Sequence, residues 1–245
     1  MATANTNPSA SHLDIMRTVF PVVATTGGGR ELARPDFFGT AFAVAPGVFM
    51  TASHVVTNAL TRGQLAIAGP SGHGPLGACS VDEYEIFTNC DVALLFCNAG
   101  GVTLLNTWLT NRVQTLTDLS SFGYPHAVSR ADEIEHFEVV FRAYKGYVIT
   151  TRGFERLPGK PAVYEISVPY PEGMSGAPVL LAVKDQLAVA GVVVGTDAVE
   201  YGGLEQRVGI AMIADEILEL QSDRLGGLIP ERLGFAAATY SPPAP

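Results

Sequence analysis

Short apolar or alternating segments, with turn residues in the gaps between them, recur along most of the chain. They read "FFGTAFAVA", then "PG", then "VFMTA", and later "QLAIAG", "CSVDEYEIF", "VALLFC", "FEVVFRAYKGYVITT", "AVYEISV", "PVLLAV", "LAVAGVVVG" and "RVGIAMI". Such runs suit strands, whose side chains alternate between two faces, and the intervening turns suit antiparallel neighbours. About ten strands in one chain predict an all-β barrel or sandwich. Composition agrees: charged residues are only 16%, while 26 Gly and 16 Pro supply the turns. One helix is expected over 213–223, "IADEILELQSD", with Ile213, Ile217 and Leu220 on one face and acids in its first turn.

Several classes of function are disfavoured. The formal charge is −9 and the basic residues are scattered singly, so no positive patch for nucleic acid is expected. The apolar runs fall short of the roughly 20 residues of a spanning helix, which argues against a membrane. The first twenty residues lack the basic start and apolar stretch of a secretory signal, so a cytoplasmic location is expected. Cys79, Cys90 and Cys97 cannot all pair with one another and show no C-x-x-C spacing, and are read as thiols. The "GGG" at 27–29 lacks dinucleotide-binding spacing. His12, His73, His126 and His136 stand apart with no H-E-x-x-H pair, so neither cofactor nor metal is expected.

Three stretches carry candidate chemistry. "GMSGAP" sets Ser175 in a turn, "TASHVV" sets His54 directly after a strand, and "NCDVALLF" opens a strand with Asp91. Each alone is ordinary: a turn serine, a structural histidine, an acid at a strand start. A serine hydroxyl becomes a nucleophile only when a base takes its proton and a third group holds that base in the right tautomer. The order His, Asp, Ser supplies all three. A G-x-S-x-G elbow is excluded, because Ala177 stands where its last glycine should be and because histidine and acid precede the serine.

These motifs resemble "T-A-x-H", "D-[IV]-A-L-L" and "G-x-S-G-x-P" of the chymotrypsin-like, or trypsin-like, serine peptidases, in the style of bacterial HtrA-type domains. The resemblance implies two packed six-stranded antiparallel β-barrels with a C-terminal α-helix. It implies a peptidase domain over 14–224 divided near 110–125, while composition alone suggests a flexible segment over 1–13 and a Pro-rich tail over 225–245. His54, Asp91 and Ser175 would be the triad of a serine endopeptidase acting through an acyl-enzyme. The backbone N–H groups of Gly173 and Ser175 would form the oxyanion hole. Pro169, at the pocket-base position, and Val193, Val194, Gly195 and Thr196 would bound a site for a peptide or protein substrate. The alternative is an inactive pseudo-protease that binds peptides in the same cleft. Val55 stands where secreted members carry a cysteine, and no PDZ-like domain is expected from the residues after 223. Met174 replaces the aspartate that zymogens use for activation, so the chain is expected to fold into a competent form without N-terminal processing.

Overall fold

The structure, a computed structural model, describes residues 15–25, 36–69, 77–99, 101–125, 140–184 and 186–242. The "GGG" stretch, His12, His73, His126, His136 and the expected flexible segment 1–13 lie outside them. Among the described residues the dominant element is the antiparallel strand, as the alternating segments require.

The first sheet contains β1 (Val19–Thr25), β2 (Phe37–Ala45), β3 (Val48–Ala52), β4 (Gln64–Gly69), β5 (Gly77–Ser80), β6 (Glu83–Phe87) and β7 (Val92–Phe96), in the order β5-β4-β1-β2-β3-β7-β6. The segment "CSVDEYEIF", expected as one strand, bends at Val81 and Asp82. Its first half pairs with β4 and its second with β7. The Val81 N–H donates to the Leu65 carbonyl and the Asp82 N–H to the Phe96 carbonyl, so this one bent strand joins both edges of the sheet. Counted as one, it closes a six-stranded barrel and leaves no exposed edge along its length. Between β3 and β4 runs helix α1 (Ser53–Leu60), which buries Val55, Val56 and Ala59.

The chain enters the second sheet with β8 (Thr107–Leu109), ahead of the stretch 110–125, and continues through β9 (Asp118–Gly123), β10 (Arg142–Gly153), β11 (Ala162–Ile166), β12 (Pro178–Val183), β13 (Gln186–Tyr201) and β14 (Leu204–Ile213). Pairing of β12 with both β9 and β13 closes the ring β9-β10-β11-β14-β13-β12, again of six strands. Strand β8 lies outside that ring, parallel to β13.

The expected helix over 213–223 is shorter. Ile213 ends β14 and precedes α2 (Ala214–Leu218); β15 (Gln221–Ser222) follows and pairs with β16 (Gly227–Leu228). Ile217 and Leu220 are still buried. The helix stops because the next groups bond elsewhere: the Ser222 hydroxyl donates to the Glu85 carboxylate, the Asp223 N–H donates to the same carboxylate, and Arg224 pairs with Glu83. The segment after 225, expected as a tail, also packs. Helix α3 (Ile229–Leu233) buries Ile229, and β17 (Ala236–Ala238) pairs with β8.

Strand alternation divides the core. Ala41, Ala43 and Phe49 point into the first barrel, while Phe42, Val44 and Met50 point out, against Leu180, Val192 and Met212 of the second. Leu119, Val148, Tyr164 and Val193 fill the second barrel. With both faces buried, these strands read as near-continuous apolar runs. Trp108, fully buried, stacks on Phe235 at 4.8 Å and lies 6.2 Å from Phe42.

Candidate active site

Strand β3 delivers His54 to the second position of α1, and the turn before β7 delivers Asp91 beside it. The register Ala52↔Val92 puts Ser53 and Asp91 opposite each other just past the ladder, where the Ser53 N–H donates to the Asp91 carbonyl at 3.0 Å. Asp91 takes a positive φ of 50°, tolerable for a short polar side chain. This turns its carboxylate onto the start of α1. Oδ1 accepts from the Ser53 hydroxyl at 2.5 Å and from the His54 N–H at 3.0 Å, and Oδ2 meets His54 Nδ1 at 2.7 Å. An anion at a helix N-terminus is favoured by the local dipole, so the acid caps α1 while it orients the ring. Asp91 is largely buried, its side chain 13% exposed, whereas that of His54 is 39% exposed and so within reach of solvent.

Ser175 sits on the second barrel in the turn preceding β12. The Ala177 N–H donates to the Met174 carbonyl at 2.9 Å. Because the N–H and C=O of one peptide point opposite ways, the Ser175 N–H faces away from Ala177. The Met174 N–H donates to the Pro171 carbonyl, and the Gly176 N–H to the Val193 carbonyl. Gly173 and Gly176 adopt φ of 89° and 85°. A side chain at Gly176 would collide with the Thr40 carbonyl and the Thr51 hydroxyl, so only glycine lets the turn seat against the first barrel. Met174 is fully buried among apolar residues.

Of the remaining residues singled out from the sequence, the Val193 side chain fills the second barrel rather than lining a surface. Val193 and Val194 are buried, and Gly195 and Thr196 are half-buried. Past Val192, which pairs with Pro178, β13 pairs on one side only, with β14, leaving the other edge of 194–196 without a strand among the described residues. Pro169 is exposed. Its neighbour Tyr170, part of the 167–173 stretch expected to bound the site but not foreseen as a buried support, packs inward instead: its ring lies against Gly209, where any side chain would clash, and its main chain both donates to and accepts from the Thr196 hydroxyl. Burial pushes the Tyr170 hydroxyl's pKa upward. Asp197, next along β13, is held by Arg152 and Arg156.

Ser53 and Thr40 were also missed, since an isolated Ser or Thr beside an apolar run reads as a turn or strand former. Cys79, Cys90 and Cys97 are free thiols. Burial pushes the Cys90 thiol beside Asp91 up to about 12, which makes it a neutral packing group.

No family model and no curated protein matches the chain. Solved structures do. The active form of the Rv3671c protease from M. tuberculosis superposes at a TM-score of 0.60 with 18% identity, over 96% of this chain and 87% of that one. The MamO protease domain from Magnetospirillum magneticum, in its apo form, gives 0.58 at 15% identity, over 86% of this chain and all of that one. The HtrA-type protease AlgW, as a variant with a tripeptide, gives 0.57 at 17% identity, over 83% of this chain and 58% of that one. The fold is that of chymotrypsin-like serine protease domains.

Proposed function

We propose that the protein is a serine endopeptidase. The observation that carries this reading is the 2.7 Å contact of His54 Nδ1 with an Asp91 carboxylate that two further donors hold in place. In this mechanism Asp91 fixes the tautomer that leaves His54 Nε2 free to accept. His54 takes the Ser175 proton, Ser175 attacks the peptide carbonyl, and the N–H groups of Gly173 and Ser175 stabilise the oxyanion. The imidazolium then protonates the leaving amine, and water releases the acyl group by the reverse steps. The open edge at Val194, Gly195 and Thr196 suits an extended peptide adding as a strand, with Pro169 at the rim. Three free thiols suit a reducing, cytoplasmic setting.

A pseudo-protease that binds peptides in the same cleft is the second reading. One observation favours it: no hydrogen bond joins the Ser175 hydroxyl to the His54 ring among the described residues. Catalytic hydrogen bonds that are long in the free enzyme commonly tighten when substrate is bound. A fluorophosphonate probe separates the two. Adduct on Ser175, located by mass spectrometry and absent in Ser175→Ala, is the expected result. Folded protein that takes up no probe, yet binds peptide, would establish the second reading.

A further inference from the structure

We infer that Thr40, on the first barrel, is the positioning residue that sets the oxyanion-binding turn on the second; the inference rests on the peptidase reading above. Thr40 is fully buried in β2, and all of its hydrogen-bonding groups are used. Its N–H donates to the Ser175 carbonyl at 2.9 Å and its hydroxyl donates to the Gly173 carbonyl at 2.7 Å. That hydroxyl accepts from the Tyr124 N–H at 3.0 Å, and the Thr40 carbonyl accepts from the Thr51 hydroxyl at 2.7 Å.

The register explains why these groups are available. In the β1–β2 ladder Thr40 lies opposite Pro21, while on the other side β3 pairs with β2 no farther than Phe42↔Met50 in this direction before it turns into α1. The main-chain groups of Thr40 therefore face a gap in the sheet. The 173–176 turn fills that gap, taking the N–H that a strand would otherwise have taken.

The consequence falls on the Gly173–Met174 peptide. Its carbonyl is held by Thr40 and its N–H by the Pro171 carbonyl, so the plane is fixed at both ends. Gly173 is a residue that can adopt either hand of φ, and losing the Thr40 donor would leave a buried carbonyl unsatisfied. Rotating this peptide would relieve the carbonyl and disrupt the arrangement that presents the Gly173 and Ser175 N–H groups. The Thr40 hydroxyl selects the unrotated state. Its methyl group has no part in that selection, which makes the inference testable by shape-matched substitution.

The experiment compares wild type, Thr40→Val, Thr40→Ala and Thr40→Ser for ester hydrolysis and for the rate of fluorophosphonate labelling, with melting temperatures recorded for each. Thr40→Val keeps the shape and loses the donor; kcat and labelling rate should fall about 10- to 100-fold with KM unchanged, as expected for the loss of one buried hydrogen bond. Thr40→Ser restores the donor and should recover to within about threefold of wild type, even if the lost methyl lowers its melting temperature. If Thr40→Val does not fold, Thr40→Ala removes the same donor without added bulk. The inference is overturned if a folded variant lacking the hydroxyl keeps more than half of wild-type kcat, or if Thr40→Ser falls as far as Thr40→Val. Wild-type protein that never labels overturns the peptidase reading, and this inference with it, an outcome distinct from both.

Discussion

The two barrels hold their shares of the candidate site with different material. On the first, side chains do the holding: one carboxylate gathers the Ser53 hydroxyl, the His54 amide and the His54 ring. On the second, the main chain of 173–177 is bonded at residue after residue, and its side chains contribute a hydroxyl at Ser175 and buried packing at Met174. A half made of side chains fails when its own groups are replaced. A half made of main chain has little of its own to replace, and is reached through the neighbours that touch it.

On the peptidase reading proposed above, the largest effects should come from Ser175 and His54. Ser175→Ala and His54→Ala should each lower kcat by on the order of 10⁶, and the double variant should be little worse, because both act in one proton-transfer path. Steady-state hydrolysis checks this; a further thousandfold loss in the double variant would mean that the two barrels contribute independently. Asp91→Asn should cost about 10⁴ in kcat through the wrong histidine tautomer while the fold is kept, read by circular dichroism beside the kinetics.

The second half should respond through packing. Met174→Ala should lower stability by about 2 to 5 kcal/mol, measured by urea denaturation, because a fully buried thioether is removed behind the turn. Purified protein whose intact mass is confirmed should label without N-terminal cleavage, since Met174 holds the turn with no charge to be paired. The smallest effect is expected at Ser53→Ala, where Asp91 keeps two of its three donors: about a tenfold loss in kcat, with the melting temperature nearly unchanged. A loss as large as that of Asp91→Asn would show the carboxylate to be far less secure than its contacts suggest.

The same division governs what could be read from sequence. Strand content was legible because residues such as Phe42 and Ala43 alternate between two buried faces. His54, Asp91 and Ser175 stood out by their flanking residues. The supports did not stand out, because they depend on partners remote in the chain: Thr40 meets Gly173 across 133 positions, and Ser222 meets Glu85 across 137. The same carboxylate accounts for the helix being shorter than local periodicity suggests: Glu85 binds the Ser222 hydroxyl and the Asp223 N–H, which holds the chain beyond Leu218 out of the helix. Strands β8 and β9 were missed for a related reason, "TWL" being too short and "DLSSFG" too polar to show a pattern of their own.

Trp108 is the chain's one tryptophan, so its fluorescence comes from a single place. That place is where Phe42 of the first barrel, β8 at the flank of the second and Phe235 of the C-terminal segment converge. The indole is shielded from water only while all three stay docked. A red shift of its emission under mild denaturant, before secondary structure is lost, would therefore report parting of the barrels or peeling of the last segment. The protein thus carries a built-in optical gauge of the joint across which Thr40 reaches Gly173.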